Sequence, residues 1–277
     1  MAQLQQEQPL EQIQATVSFV VDTGQKPVNI PSTPGGGESQ HIGEYEDKTV
    51  IVRDARPLAA ELSVDREGFA LVPLETQVTD FYDNDQIENI YNPELVALLK
   101  KELGAKDVFV FDHTVRAGDE KVRSAKKVRE PVLRAHNDYT VKSGPVRVKD
   151  WFGEEKAAPL LERRFSIVNV WRSIVGAIER NPLAICDARS VPLDDMVATE
   201  RRAAERVGET YRLTYNASHQ WYYFPLMQRN EAMLIKSYES ESDGRARFTP
   251  HTAIEVPNTP ENAAPRQSIE SRLFAFF

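Results

Sequence analysis

Cysteine is almost missing from this sequence: Cys186 is the only one. An internal disulfide framework is therefore excluded, and the chain suits a reducing compartment in which thiols persist. Cys186 follows the apolar run Leu183-Ala184-Ile185 and reads as a buried structural thiol rather than a nucleophile. Long hydrophobic runs are missing too, and no stretch approaches the roughly 20 apolar residues that a membrane helix requires. The opening MAQLQQEQPLEQIQ has neither the basic region nor the apolar core of a secretory signal, so the expectation is a cytoplasmic chain frayed at its start. Basic charge is in deficit, with 34 Lys and Arg against 42 Asp and Glu and a formal charge of −8. That argues against a broad cationic surface for phosphate backbones, and nucleic acid is not an expected partner. Histidine is also scarce: His41, His113, His136, His219 and His251 are the whole set.

What is present is ample material for a core. The chain has 277 residues, 41% apolar and 27% charged, far from the composition of a disordered segment. No internal repeat or long linker divides it, so a single domain over 1–277 is expected, with residues 1 to about 80 packing on it as an extension. Alternating β-branched and aromatic residues predict strands at 15–22 and 48–53, separated by a loop with Pro31, Pro34 and three consecutive glycines. Asn92-Pro93 opens a helix whose apolar positions Leu95, Leu98, Leu99 and Leu103 recur at helical spacing before Gly104 ends it. Beyond it the pattern is mostly strand: 107–113, 165–174, 182–187, 211–216, 220–224, 232–238, 248–255 and 268–277. Helical stretches are expected at 172–180 and around 194–207, where Asp195, Glu200, Arg201, Arg202, Glu205 and Arg206 read as a solvated face. Many short strands in series predict a mainly β protein with flanking helices, an antiparallel double-sheet jelly roll of cupin-like form.

The histidines carry the chemical signal. In Arg134-Ala-His-Asn-Asp-Tyr-Thr140, an extended backbone sends His136 and Asp138 to the same side, because strand side chains alternate with period two. Two imidazoles and one carboxylate on one face of an octahedron leave three positions open, the donor set of iron(II) oxygenases. The third ligand has two candidates. His251 opens a strand in Phe248-Thr-Pro-His-Thr-Ala-Ile-Glu255, and His219 precedes another. Only His251 is followed by an arginine-bearing last strand, with Arg266, Ser268, Glu270 and Arg272 on one face. An inward arginine on an apolar strand calls for an anion, and the dicarboxylate 2-oxoglutarate supplies one that a guanidinium grips with two parallel bonds.

Taken together, His136-Asn-Asp-Tyr-Thr, Asn169-Val-Trp-Arg172, Asn181-Pro-Leu-Ala-Ile-Cys-Asp-Ala-Arg189, Trp221-Tyr-Tyr-Phe-Pro225, the block Glu231 to Tyr238, and Arg247-Phe-Thr-Pro-His251 resemble the hydroxylase/desaturase family of secondary metabolism. That family includes a cephamycin methoxylation component, aspergillic-acid-type hydroxylases and a gibberellin desaturase. The resemblance covers roughly residues 80 to 277. It implies a double-stranded β-helix, iron(II) as metal, 2-oxoglutarate as cosubstrate, and metal ligands at His136, Asp138 and His251. Other members of the superfamily, nucleic-acid demethylases among them, use two arginines six apart on the last strand. Arg266 and Arg272 fit that spacing, with the cosubstrate grip open between them.

The remaining candidates are assigned to binding. Asn169 and Ser268 are expected beside the cosubstrate, and Arg172, Tyr222, Tyr223 and His219 are candidates for the substrate pocket. Since Tyr222 and Tyr223 point to opposite faces of one strand, one of them should face the cavity. His113 reads as a satisfied structural histidine and His41 as solvated. The expected activity is hydroxylation, desaturation or cyclisation of a small metabolite with molecular oxygen, by a chain that acts alone or as a homodimer. The alternatives are an iron cupin that needs no keto acid and a non-catalytic accessory barrel.

Overall fold

Two sheets carry the fold in the computed structural model, which describes residues 10–35, 39–203 and 206–277. The smaller has the order β5 (Phe69–Pro73), β13 (Glu231–Glu239), β8 (Phe165–Ser173), β15 (Gln267–Phe276), β6 (Asp107–Ala117). The larger begins with β1 (Gln12–Val20), β4 (Tyr45–Asp54), β12 (Trp221–Tyr223), β9 (Leu183–Cys186) and β14 (His251–Ala253). It continues with β7 (His136–Asn137), β11 (Val207–Leu213), β10 (Met196–Arg202), β2 (Val28–Ile30) and β3 (Gln40–Ile42). From β6 to β9 the chain crosses from sheet to sheet with every strand, and it does so again from β12 to β15. These eight strands pair antiparallel within each sheet and form the jelly roll that the sequence predicts. The β10–β11 hairpin is an insertion between β9 and β12 that widens the large sheet beyond β7.

The segment before β6 does more than lie on the barrel. β1 and β4 extend the large sheet past β12, β2 and β3 extend it past β10, and β5 pairs with β13. The β12–β4 and β10–β2 pairings are parallel, as strands added from a distant part of the chain allow.

Among the described residues five helices are short, α1 (Asn84–Gln86), α2 (Asn92–Leu103), α3 (Glu120–Lys126), α4 (Ser143–Phe152) and α5 (Glu154–Leu161). α2 is the one the sequence predicts. Pro93 sits in its first turn and Gly104, at φ 69°, ends it in the left-handed region. Its Leu95, Leu98 and Leu99 pack on Val168, Val170, Leu234 and Ile269 of the small sheet. Each leucine so buried contributes about 1.5–3 kcal/mol of transfer free energy. Because α2 covers one face of β8 and the barrel fills the other, all nine of its residues are buried. Parity then decides function: Val168, Val170 and Arg172 face α2, whereas Asn169 and Trp171 face the barrel.

Two expected helices are absent among the described residues, of which the second also spans the undescribed 204–205. Arg172 and Ser173 finish β8, and the 194–207 stretch is a 3-10 turn (Leu193–Asp195) followed by β10. Its charges mimic a helical face, but Val197, Thr199 and Arg201 alternate against Arg212, Thr210 and Gly208 of β11, a nonlocal pairing that outweighs local charge spacing. α3, α4 and α5 fall between the strands expected at 107–113 and 165–174, in a stretch where the sequence names no helix; their apolar positions are too few for a strong helical period. Cys186 is buried, and burial pushes its thiol well above the ordinary range, in line with a structural role. No helix among the described residues is long and apolar enough to cross a membrane. The frayed start, and part of the triple-glycine loop, fall outside the described residues.

Candidate metal centre

The site is built on one row of the large sheet. His251 of β14 stands opposite His136 of β7, which in turn stands opposite Arg212 of β11. Residues directly opposite in antiparallel strands present their side chains on the same face. The two imidazole centroids are 4.6 Å apart. Asp138 shares that side because Asn137 between them points the other way. There Asn137 Nδ2 donates to the carbonyls of Tyr139 and Ser237, and its Oδ1 accepts from Thr249 N–H. One ligand atom each from His136, Asp138 and His251 falls within 4.8 Å of the others, and His136 Nε2 lies 3.6 Å from Asp138 Oδ1.

Hydrogen bonds orient each of the three. His136 Nδ1 donates to the Arg134 carbonyl at 2.9 Å and His251 Nδ1 to the Thr249 carbonyl at 3.0 Å. With Nδ1 carrying the proton, each Nε2 presents a lone pair to the common point, the tautomer a metal needs. Thr249 is held in turn, its hydroxyl donating to the carbonyls of Gly68 and Lys236. Gly68 has φ +90°, and a Cβ there would stand 2.2 Å from Thr249 Oγ1, so only glycine fits. Asp138 Oδ2 accepts from Asn169 Nδ2 at 2.8 Å and Arg272 Nε at 2.7 Å, which leaves Oδ1 for the shared point.

The electrostatics favour a metal over protons. Burial, reinforced by His251 and Arg212, pushes the His136 pKa well below the ordinary histidine value, so the ring is neutral. Burial opposes ionisation of Asp138, but Arg272 and the two imidazoles outweigh it and hold the carboxyl well below the usual range. Arg272 stays charged because Asp138, Glu270 and Asp112 offset its own burial.

A metal of the iron type fits this donor set. His251 Nε2 is buried with no hydrogen-bond partner among the described residues, a costly state for a basic nitrogen unless something electrophilic meets it. Two imidazoles and one carboxylate oxygen also match the facial triad of non-haem iron(II) oxygenases.

His136 and Asp138 open onto a cavity of about 1060 Å³ between the sheets. Among the described residues its lining holds ten Arg or Lys side chains against four Asp or Glu, a cationic interior in an acidic chain. The other candidates fall in different places. Arg272 lines the cavity, but its three nitrogens are engaged: Nε with Asp138, Nη1 with Asp112 (2.6 Å) and Thr114 (3.1 Å), and Nη2 with Glu270. Arg266 and Ser268 are buried but do not line it; the Arg266 guanidinium lies over Trp171 and donates to the Asn181 carbonyl. Arg172 faces outward by parity, between Phe81 and Tyr91. Tyr222 packs on Phe69, Tyr223 joins the core on the other face of the large sheet, and neither lines the cavity. His219 bonds Asp195 at 2.9 Å in a turn, apart from the triad. His41, expected to be solvated, lines the cavity, and burial lowers its pKa to about 4. Arg212, Thr210, Asp112 and Thr114 are among the lining residues that sequence reasoning missed. Only strand parity, known once β10 and β11 are paired, singles out the first two.

A family model described as oxidoreductase/YMDC permease-like domain matches residues 17–276. The hydroxylase/desaturase efuI of Hormonema carpetanum is 30% identical over 256 residues, 84% of this chain and 85% of that protein. The Fe(II)/2-oxoglutarate-dependent dioxygenase nvfI of Aspergillus novofumigatus is 29% identical over 252 residues, 88% of each. The solved structure of the iron and alpha-ketoglutarate-dependent endoperoxidase NvfI superposes with a TM-score of 0.83 at 25% identity, covering 96% of this chain and 98% of that one. Likeness of this extent, over a jelly roll with a histidine and carboxylate cluster at its mouth, defines an iron(II)- and 2-oxoglutarate-dependent oxygenase. The chain belongs to the oxidoreductase/YMDC permease-like domain family and sits there among hydroxylase/desaturase relatives.

Proposed function

We propose that this single oxygenase domain holds iron(II) through His136 Nε2, His251 Nε2 and Asp138 Oδ1, and hydroxylates, desaturates or cyclises a small metabolite. The observation that carries the reading is the convergence of three ligand atoms within 4.8 Å, with His251 Nε2 buried and unpartnered. When bound, iron(II) with 2-oxoglutarate and oxygen supplies an oxidant able to take hydrogen from an unactivated C–H bond, the keto acid leaving as succinate and carbon dioxide. The protein's part is geometric. The carbonyls of Arg134 and Thr249 keep the Nδ1 protons in place, so both Nε2 atoms stay available. Asn169 and Arg272 occupy Asp138 Oδ2 and direct Oδ1 inward, which makes Arg272 a positioning residue. The cationic lining draws anions in.

Purified chain given iron(II) and 2-oxoglutarate under nitrogen should develop the visible charge-transfer band of a chelated keto acid. Admission of oxygen should then release succinate. Asp138→Ala and His136→Ala should lack both. Succinate formation that survives both substitutions would contradict the ligand assignment, and a silent titration would favour an accessory barrel.

A further inference from the structure

The cavity in front of the triad holds more positive charge than its own acids answer. Of its ten basic side chains, Arg272 pairs with Asp138, Asp112 and Glu270, and Arg206 with Asp150. The other eight have no ion pair among the described residues. The lining acids are engaged: Asp112 and Asp138 by Arg272, Glu209 by Lys26, and Glu130 by the hydroxyls of Ser32 and Ser39. Iron(II) and the dianion 2-oxoglutarate carry equal and opposite charge, so loading both leaves the excess as it was. A further anion is called for.

The uncompensated charge extends well away from the metal. Arg201 of β10 stands in register between Gly208 of β11 and Asn29 of β2, and Asn29 stands opposite His41 of β3. Side chains in such a row share a face, and Arg201, Asn29 and His41 all line the cavity, as do His136 and Arg212 of the metal row. Gly208 and Arg212 are four residues apart on β11, which sets the two rows about 13 Å apart along the strands. The Arg201 guanidinium has no hydrogen-bond or ion-pair partner among the described residues. Burial, then Arg272 and Arg129, lower its pKa, so Arg201 and Arg129 repel each other across the space between them. Arg129 donates Nε to the Ser32 carbonyl, which anchors it to the segment after β2. Beside Arg201, Asn29 Oδ1 and His41 Nδ1 are buried without a partner among the described residues, a second sign that a polar group meets this wall. Pro31, Pro131, Val132 and Leu133 give the same cavity apolar surface.

We infer that the substrate is an organic acid with an apolar body, its acid group held by Arg201 and Arg129 at the β2–β10 end of the cavity. The inference rests on the iron and 2-oxoglutarate reading above. A volume of about 1060 Å³ accommodates a molecule larger than the cosubstrate. Anchored by its acid in the far row, such a molecule extends back along the wall and presents its other end to the triad. β2, β3 and β10 lie outside the eight strands of the jelly roll, so strands added to the barrel, rather than the barrel, set the substrate class.

The test uses 2-naphthoate as probe and 2-naphthamide, the same body without the charge, as control. Equilibrium dialysis under nitrogen, with iron(II) and saturating 2-oxoglutarate in both chambers, gives the affinity of each without turnover. One equivalent of naphthoate should bind at least about tenfold more tightly than the amide. Arg201→Gln should weaken naphthoate about ten- to hundredfold, and leave within about threefold both the amide and the Kd for 2-oxoglutarate read by the visible band. Arg201→Lys, which keeps the charge but not the fork, should retain part of the preference and serves if the Gln variant does not fold. Equal binding of acid and amide by the unsubstituted protein, or a preference that survives both substitutions undiminished, overturns the inference alone. So does displacement of naphthoate by rising 2-oxoglutarate, or a variant that loses 2-oxoglutarate instead, since either gives Arg201 to the cosubstrate. Absence of the visible band in the unsubstituted protein overturns the iron reading, and the substrate assignment with it.

Discussion

Asp138, a ligand in the proposed reading, shows how one carboxylate oxygen is prepared by fixing the other. Asn169 and Arg272 both donate to Oδ2, yet their loss should differ. Asn169→Ala removes a neutral donor, so iron(II) affinity should fall about ten- to hundredfold, the usual cost of losing an outer hydrogen bond to a ligand, with little change in melting temperature. Arg272→Met strands Asp138, Glu270 and Asp112 without their shared cation, and breaking buried pairs this way costs about 3–5 kcal/mol. Iron titration and thermal melts on the two variants should separate; equal loss of stability would sink the distinction. At this scale the clustering of His136, Asp138 and His251 is legible in the sequence. Period-two alternation alone sends His136 and Asp138 to one side, and the arginine strand after His251 favours it over His219. What Arg272 grips is not legible, since Asp112, Thr114 and Glu270 reach it only through the β15–β6 register and the turn of one strand. Arg212 is hidden for the same reason.

Elements meet at His113 of β6, which ties α2 to β6 and β15 of the small sheet. Its Nε2 donates to Asn92 Oδ1 at 2.8 Å, at the start of α2, and its Nδ1 accepts from Ser271 Oγ of β15 at 2.8 Å. The ring is neutral, and burial lowers its pKa to about 4. An unfolded histidine titrates near 6.5, so below that pH the unfolded chain takes a proton that the folded chain refuses. Stability should therefore fall as pH drops from about 6.5 to about 4 and level off below, by about 3 kcal/mol from this residue. Urea midpoints of the native chain and His113→Asn, measured between these limits, isolate the effect. A gap between the two that does not narrow with falling pH would refute it. Local patterning names α2 and most strands because their apolar periods are long and clean, as in Leu95, Leu98 and Leu99. β10 fails because a three-way competition among charge spacing, β-branching and a distant partner strand is decided by the partner.

At the scale of the whole molecule, charge is segregated: a chain of formal charge −8 encloses a cavity in which ten basic side chains face four acidic ones. Composition averages over inside and outside and so conceals a basic interior. The field should draw a dianion in and oppose a dication. Screening lengths shrink from about 10 Å at 0.1 M salt to about 3 Å at 1 M, so added salt weakens the first effect and relieves the second. Between 0.05 and 0.5 M sodium chloride the Kd for 2-oxoglutarate should rise about three- to tenfold, chiefly through a slower association rate, as expected for steering. The singly charged 2-oxopentanoate should move less, and the Kd for iron(II) should hold or fall. Stopped-flow titration with the visible band separates the rates. If salt shifts both keto acids and the metal in the same direction by the same factor, the cavity's charge has no part in selecting what enters it.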